Sequence, residues 1–359
     1  MAVVLPMSAQ LLPLVGLDKG NVSYYRWAQK ACHVISTKGM SSCWPNRIHD
    51  STIPFGDKHL MTVELIQTRK QQTIGESISV SGFGYWSGKD VEIEFRPAAE
   101  NTGLVFVRQA ETGQHRIEAL VHNREEVPRR TNLIQDGHGV DMVEHVVAAL
   151  AGLQIDNCEI HCSSQEMPGV DGSSVVFTNA LLKAGIVQQS SARLGLLVSR
   201  PVEVRSGDCW IKARPLADAA RNPRTVLQYN LDYGPDSIIR AQSFRISLTP
   251  AAFTQQLASA RTFVLKSEAD QMLSAGIGLR VSTQDLIVFG DQGPIDTELR
   301  FEDECARHKT LDMVGDLALS GIDLIGEFEA YRTGHRLNAE LVRELLAAHQ
   351  VPIAMAACA

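Results

Sequence analysis

Most of what this sequence says about its fold and chemistry lies in the stretch Phe301-Glu-Asp-Glu-Cys-Ala-Arg-His-Lys-Thr-Leu-Asp-Met-Val-Gly-Asp316. It places His308, Asp312 and Asp316 at successive four-residue steps, and on a helix such steps stack side chains along one face. A face that only packs into a core carries Leu or Val at these positions. An imidazole and a carboxylate one turn apart can instead bind a single divalent metal ion. The stretch therefore predicts a helical metal site, and a metal site suggests hydrolysis.

The composition is that of a globular protein and excludes several functional classes. With 359 residues, the chain is long enough for two ordinary domains. Its net charge of −7 argues against a nucleic-acid partner, because phosphate contacts need a basic face. No apolar run reaches the roughly 18 to 20 residues of a membrane span, so we expect no stable membrane insertion. The seven scattered cysteines, without a CxxC pair, favour a reducing compartment, and we expect a cytoplasmic protein.

Residues 1–68 are predicted to form an N-terminal extension. The apolar segment from Met1 to Leu17 lacks a basic start and a small-residue cleavage site, which argues against a secretory signal. Two alternatives remain. The extension is either a transit-type targeting segment, or a disordered or processed stretch upstream of a true start at Met61. We expect ordered structure to begin near Thr73.

Two successive series of strands and helices are predicted after the extension, in residues 69–193 and 194–359. Alternating apolar side chains indicate strands, and longer apolar stretches indicate helices. The first series is expected to contain strands at Ser77–Val80, Val91–Phe95, Gly103–Val107 and Cys158–Cys162 and helices at Met142–Leu153 and Phe177–Ala184. The second is expected to contain strands at Leu197–Ser199, Pro201–Val204, Trp210–Ala213, Thr225–Tyr229 and Ile322–Tyr331 and helices at Ala251–Ala258, Glu268–Ala275, Glu304–Leu319 and Asn338–His349. Because the two series share this order, we predict an α+β fold in which two similar βα domains pack face to face, with helices sandwiched between two sheets.

Two further histidines are candidate partners for the His308 and Asp312 pair. His145 follows Glu144 near the start of an otherwise apolar helix; it is either a hydrogen-bonded core residue or a metal ligand with an adjacent general base. His335 follows a glycine at a strand-to-helix turn, where it is either a surface residue or exposed to a cleft. A nearby carboxylate such as Asp316 would raise its pKa and favour the acid form.

Two other stretches combine polar residues with turn-forming or aromatic residues. Ala260-Arg-Thr-Phe263 presents a hydroxyl between a cation and an aromatic ring, so Thr262 is either an oxyanion donor or an ordinary loop residue. Glu166-Met-Pro-Gly-Val-Asp-Gly-Ser-Ser174 is a tight turn that we interpret as mainly structural, with Asp171 capping the next helix.

From about Gln71 to its C-terminus, the chain resembles the UDP-3-O-acyl-N-acetylglucosamine deacetylases, the zinc amidases of lipid A biosynthesis. The resemblance keeps the family's order over most of 290 residues. It is carried by the segments Gly82–Gly88, Arg96–Ala98 with Asn101–Gly103, Val143–Gly152 with Ile155–Asn157, Glu166–Ser173, Arg261–Phe263, Arg300–Glu304, His308–Asp312 with Gly315–Asp316, and Gly334–His335 with Asn338.

The resemblance implies a metal centre and a base. His145, His308 and Asp312 correspond to the three ligands of a Zn²⁺ ion, with Fe²⁺ as an alternative. Three protein ligands leave a fourth position for water, as catalytic zinc requires. Glu144 corresponds to the base that takes a proton from this water.

The resemblance also implies roles for five residues around the metal. His335, oriented by Asp316, corresponds to the acid that protonates the leaving amine. Thr262 corresponds to an oxyanion donor, and Lys309 to a cation near the oxyanion or the substrate. Phe263 is similar to the aromatic residue that lies against the sugar.

The implied reaction is hydrolysis of the N-acetyl group of a UDP-linked 3-O-(3-hydroxyacyl)-N-acetylglucosamine, the committed step of lipid A biosynthesis. The products are acetate and UDP-3-O-acyl-glucosamine, and the enzyme is expected to act as a monomer. Two alternatives are a non-catalytic protein of the same fold that binds nucleotide-sugar or lipid, and an amidase for another N-acetyl sugar.

Three segments depart from the family pattern. Tyr85-Trp86 replaces the usual Leu-His, at a position expected to lie away from the metal ligands. The segment 131–140 replaces one that often carries Cys near the site. Residues 276–293 cover the insert that lines an acyl passage, for which Leu279, Val281, Leu286, Ile287 and Val288 are candidates.

Overall fold

The computed structural model describes residues 65–110 and 113–351. The predicted extension, up to residue 64, lies outside the described residues. The strands are β1 (Leu65–Ile74), β2 (Ile78–Phe83), β3 (Asp90–Pro97), β4 (Leu104–Ala110), β5 (Gly113–Glu118), β6 (Arg124–Glu125), β7 (Asn132–Gln135), β8 (His138–Val140), β9 (Cys158–Cys162), β10 (Ile186–Leu197), β11 (Val202–Ser206), β12 (Cys209–Arg214), β13 (Thr225–Leu231), β14 (Gln242–Ser247), β15 (Phe263–Leu265), β16 (Ile287–Gly290), β17 (Gly293–Pro294) and β18 (Asp323–Tyr331). The helices are α1 (Glu144–Gly152), α2 (Val175–Ala184), α3 (Pro250–Gln256), α4 (Lys266–Ser274), α5 (Glu304–Ala318) and α6 (His335–Ala348).

The strands form two larger sheets and two small ones. The five-stranded sheet has the order β2-β3-β9-β4-β5 and the seven-stranded sheet the order β1-β10-β18-β12-β11, with β13 also paired to β18 and β14 to β13. Two three-stranded sheets, β6-β7-β8 and β15-β16-β17, lie outside these. The described residues therefore have the mixed α and β content that the sequence predicts.

Helices α1 and α5 pack along each other at the centre of the core. Their backbones meet at Gly315, where an added Cβ atom would lie 2.3 Å from the carbonyl oxygen of Glu144. No side chain fits in that space, so glycine permits the close approach of the two helices. Helix α2 packs on β2 of the five-stranded sheet, and α5 packs on β13 and β14 of the seven-stranded sheet.

Two strands lie earlier in the chain than the sequence indicates. The strand predicted at Leu197–Ser199 was wrong in its bounds, because β10 spans Ile186–Leu197 and overlaps it only at Leu197. Ordered structure was expected near Thr73, but β1 begins at Leu65 and pairs along its length with β10. Both strands have polar centres, at residues 67–72 of β1 and 188–191 of β10, and these lack an alternation of apolar side chains, which is why they give little strand signal. Partly buried polar contacts also hold β1 in place, including the ion pair of Arg69 with Asp156 at 2.6 Å.

Two of the expected local features were wrong in detail. Helix α6 was expected at Asn338 but begins at His335, because Gly334 is its N-cap in an extended conformation. Asp171 does not cap α2; its Oδ1 accepts from Ser173 and its Oδ2 pairs with Arg300 at 2.8 Å.

In the part of the chain that the structure describes, no helix has the length and apolar character needed to cross a membrane.

Candidate active site

Three predicted ligand side chains meet between α1 and α5. The ligand atoms of His145, His308 and Asp312 all lie within 4.8 Å of one another. Asp312 Oδ1 is 3.6 Å from His145 Nε2 and 3.4 Å from His308 Nε2. His145 is the second residue of α1, while His308 and Asp312 lie one turn apart on α5. The close packing of the two helices thus brings together ligands that are more than 160 residues apart in the sequence.

The chemistry of this group fits a divalent cation. Asp312 Oδ1 is buried and has no hydrogen-bond partner among the described residues, although an unpaired buried carboxylate oxygen is costly. The other oxygen, Oδ2, accepts from Lys309 Nζ at 2.7 Å. His308 Nδ1 lies 3.1 Å from the carbonyl oxygen of Ala260, which fixes the ring and turns Nε2 towards Asp312. Two imidazole nitrogens and one carboxylate oxygen form one of the ligand sets found in catalytic zinc sites.

The protonation states of His308 and Asp312 suit the binding of a divalent cation. Burial lowers the pKa of His308 to about 3, so the imidazole is neutral at pH 7 and able to bind a cation. Burial alone would raise the pKa of Asp312, but His308 and Lys309 hold it well below its usual value. Asp312 therefore offers an ionised carboxylate, and His308 a neutral nitrogen donor.

Glu144 stands beside the ligands as the first residue of α1. Its side chain is buried, and Oε2 accepts a hydrogen bond of 2.9 Å from the backbone N–H of Thr131. Burial raises the pKa of Glu144, which increases the affinity of the carboxylate for a proton. Such a group is suited to general-base chemistry.

His335 and Asp316 form a second buried pair. His335 Nδ1 lies 2.9 Å from Asp316 Oδ2, and Asp316 is fully buried at the back of α5. Burial opposes the imidazolium charge, but Asp316 outweighs it and the pKa of His335 rises to about 9. His335 is therefore a cation at pH 7. Asn338 Nδ2 also donates to Asp316 Oδ2, at 2.9 Å, and holds the carboxylate in place.

Phe263 and Lys309 contact the ligands, and Thr262 immediately precedes Phe263. The Thr262 N–H donates to the carbonyl oxygen of Gly172 at 2.7 Å, which fixes the start of β15. The Phe263 ring packs edge to face against His308, with 6.2 Å between ring centroids. Burial opposes the Lys309 charge, but Asp312 raises the pKa of its ammonium group. The sequence-predicted residues are thus adjacent to one another.

One cavity of about 840 Å³ connects these side chains. All predicted site residues line it except Asp316, which lies behind His335. A second cavity, of about 620 Å³, lies at the other ends of α1 and α5, where Gly152 and Ala318 line it. The first cavity contains the chemistry described above and is the candidate active site.

Two segments that depart from the family pattern contribute walls of this cavity. Tyr85 and Trp86 both line the cavity, which the sequence did not indicate. The guanidinium carbon of Arg130 lies over the Trp86 ring, 4.0 Å from its centroid. From the 276–293 segment, Val281, Leu286 and Val288 line the cavity. Of the other two candidates there, Leu279 is 74% exposed and Ile287 is fully buried in the core.

Sequence reasoning missed two residues of the site. Thr131 contacts both Glu144 and Asp316, and Asn338 contacts Asp316. Asn338 had a signal, because it lies three residues after His335 on one helix face. Thr131 had none, since its contacts are to residues distant in the sequence.

Comparisons with known proteins point in one direction. Residues 71–347 match the family model of UDP-3-O-acyl N-acetylglycosamine deacetylase. A UDP-3-O-acyl-N-acetylglucosamine deacetylase of Anaeromyxobacter sp. (strain Fw109-5) is 37% identical over 288 residues, which cover 77% of this chain and 88% of the relative. Enzymes of the same name from Histophilus somni (37% over 280 residues, 77% and 90% covered) and Oleidesulfovibrio alaskensis (38% over 276 residues, 77% and 88% covered) are similar to the same extent.

Proposed function

The chain belongs to the UDP-3-O-acyl N-acetylglycosamine deacetylase family, and we propose that its hydrolysis of the N-acetyl amide uses Glu144 as base and His335 as acid. The reaction is the deacetylation of a UDP-linked, 3-O-acylated N-acetylglucosamine, a step of lipid A biosynthesis. One observation carries the proposed roles. The buried His145, His308 and Asp312 group shares a cavity with Glu144 and with the charged His335.

The metal held by the three ligands is proposed to be Zn²⁺, with Fe²⁺ as the alternative. The buried Oδ1 of Asp312, which has no partner among the described residues, supports a bound cation. When bound, such a cation supplies Lewis-acid chemistry: it polarises the amide carbonyl and makes a water molecule easier to deprotonate.

The proposed proton transfers follow from the hydrogen bonds of the two acid–base residues. Thr131 occupies Oε2 of Glu144, so Oε1 is the oxygen that receives the proton of the attacking water. Asp316 occupies Nδ1 of His335, so Nε2 donates a proton to the leaving nitrogen. A base with a raised pKa and a protonated acid at pH 7 is the combination that amide hydrolysis needs.

The remaining side chains are proposed to stabilise charge and bind substrate. The hydroxyl of Thr262 and the ammonium of Lys309 oppose the negative charge that develops on the carbonyl oxygen. Phe263 lies against the sugar ring. The apolar wall formed by Val281, Leu286 and Val288 receives the acyl chain, since these residues line the same cavity as the ligands.

The finer organisation of the protein belongs to the same proposal. We propose that residues 69–193 and 194–359 form two βα domains with their helices between the sheets. In support, α2 packs on the five-stranded sheet, α5 packs on the seven-stranded sheet, and α1 packs on α5. The seven-stranded sheet of the second part also includes β1 and β10, which lie mainly in the first part. One chain supplies every proposed site residue, which is sufficient for a monomeric enzyme.

The four described cysteines, Cys158, Cys162, Cys209 and Cys305, are free thiols, as expected in the cytoplasm.

Acetate release from the UDP-3-O-acyl-N-acetylglucosamine substrate tests the proposal directly. The purified chain is expected to release acetate, to lose this activity in a chelator, and to regain it when Zn²⁺ or Fe²⁺ is added back. A rate that the chelator leaves unchanged after complete metal removal would refute the metal assignment. The same assay with UDP-N-acetylglucosamine, which has no acyl chain, tests the role of the apolar wall.

A further inference from the structure

Thr131 directs three of its polar groups at the acid–base machinery. It is 1% exposed and immediately precedes β7. Its backbone N–H donates to Glu144 Oε2 at 2.9 Å, and its hydroxyl donates to Asp316 Oδ1 at 2.7 Å. Its carbonyl oxygen accepts from the N–H of Val143, the residue before Glu144, at 3.1 Å. A residue outside both α1 and α5 therefore contacts the proposed base and the partner of the proposed acid.

The two carboxylates that Thr131 contacts lie on helices in close contact. The backbones of α1 and α5 meet where Gly315 approaches the Glu144 carbonyl, and Asp316 is the next residue along α5. Both carboxylates are buried, so each needs hydrogen-bond donors to offset its desolvation. Thr131 gives one donor to each. It thereby fixes both side chains without adding a charge between them.

The two hydrogen bonds act on different steps of the reaction. The N–H bond occupies Oε2 of Glu144 and leaves Oε1 for the proton of water. The hydroxyl bond occupies Oδ1 of Asp316, so that the carboxylate turns Oδ2 towards both His335 Nδ1 and Asn338 Nδ2. We propose that Thr131 is a positioning residue whose N–H orients the base and whose hydroxyl orients the acid through Asp316. This inference rests on the proposed roles of Glu144 and His335.

The side chain and the backbone of Thr131 can be tested separately, because substitution removes only the hydroxyl. Thr131→Val keeps the side-chain size and the backbone N–H. The hydrogen bond to Glu144 Oε2 therefore remains, while Asp316 Oδ1 loses its donor. We expect kcat to fall at least about tenfold, since a hydrogen bond to a charged group exceeds the 1.4 kcal/mol that tenfold represents. KM and metal content should change less than about twofold, because neither the cavity wall nor the ligands are altered. Thr131→Ser should restore kcat to within a few fold.

Thr178→Val is the matched control for lost packing and a lost buried hydroxyl. Thr178 is fully buried on α2, and its hydroxyl donates to the backbone carbonyl of Ser174 at 2.8 Å. This variant should lose stability and keep the wild-type kcat. If Thr131→Val does not fold, Thr131→Cys replaces it, because a thiol has a similar size and is a weak donor.

A double-mutant cycle with Asp316→Asn decides whether Thr131 acts through Asp316. In the Asp316→Asn background, removing the Thr131 hydroxyl should lower kcat by less than about threefold further. Fully additive losses, or a wild-type kcat in metal-loaded Thr131→Val, would overturn the inference. A metal-loaded wild-type chain that releases no acetate would instead refute the proposed function, so the two failures are distinguishable.

Discussion

Replacing Asp316 by asparagine removes the charge that keeps His335 protonated. Asp316 is fully buried, and its Oδ2 lies 2.9 Å from His335 Nδ1. Burial alone would lower the pKa of His335, but Asp316, with additional contributions from Asp312 and Glu144, raises it from 6.5 to about 9. That difference corresponds to about 3 kcal/mol in favour of the imidazolium. Most of this free energy should be lost in the variant, since an amide carries no charge.

The loss should be visible in the dependence of activity on pH. In the wild-type enzyme the acid is protonated up to pH about 9, so kcat/KM should fall as the pH rises through that value. In Asp316→Asn this descending limb should move to lower pH, towards 6.5. At pH 7 the variant should lose about 10²- to 10⁴-fold in kcat, because the imidazole is then both less protonated and less well oriented.

The difference in stability between the wild-type protein and Asp316→Asn should also depend on pH. The pKa of His335 is higher in the folded than in the unfolded state. The stabilisation that the His335–Asp316 pair gives the folded protein is therefore fully present below pH about 6.5 and is lost as the pH rises through about 9. The difference in free energy of unfolding between wild type and variant should therefore shrink over this range. Denaturant unfolding at pH about 6 and about 10 measures the difference.

Asp303→Asn is the control for these measurements. Asp303 occupies the N-cap position of the same helix, and its side chain pairs with Arg307 at 2.6 Å, away from the cavity. This variant should keep the wild-type pH profile. A descending limb that stays near pH 9 in metal-loaded Asp316→Asn would refute the assignment of His335 as the acid whose pKa Asp316 controls.

Three further predictions concern the ligands, the base and the contact between the helices. Asp312→Ala should lose the bound metal, because only two imidazoles remain; full metal content by elemental analysis would contradict the ligand assignment. Glu144→Gln should keep the metal and lose at least about 10²-fold in kcat, and near-normal acetate release would exclude Glu144 as base. Gly315→Ala should lower the free energy of unfolding in urea by about 1 to 3 kcal/mol, because its Cβ would lie 2.3 Å from the Glu144 carbonyl oxygen. Gly334→Ala, whose Cβ would meet no described atom within 4 Å, should cost less, and equal losses would show that the close approach is unimportant.

Local periodicity was sufficient to predict the central helices. The stretch Glu304–Leu319 was expected to be helical, and α5 spans Glu304–Ala318. The apolar stretch around Val146–Leu150 predicted the buried helix α1 in the same way. These elements are specified by short-range spacing, which a single sequence displays fully.

Strands β1 and β10 were largely missed for the opposite reason. Their sequences, such as Thr-Arg-Lys-Gln-Gln in β1, lack a clean apolar alternation. What holds them is long-range: their mutual ladder, the Arg69 to Asp156 ion pair, and the hydrogen bonds from Asn157 Nδ2 to Gln71 at 2.9 Å and to Gln189 at 2.7 Å. Partners that lie 32 or more residues away cannot be inferred from the composition of the strand itself.

The stripe of His308, Asp312 and Asp316 shows why equal spacing does not mean equal roles. Each four-residue step rises about 6 Å along the helix axis, so His308 and Asp316 are about 12 Å apart along α5. Metal–ligand bonds are about 2 Å long, so one ion can join side chains one turn apart but not two turns apart. The observed contacts agree: Asp312 Oδ1 lies 3.4 Å from His308 Nε2, whereas Asp316 bonds to His335, Asn338 and Thr131. A single helix face therefore carries the proposed metal ligands on one turn and the partner of the proposed acid on the next. Gly315, where α1 approaches α5, lies between Asp312 and Asp316.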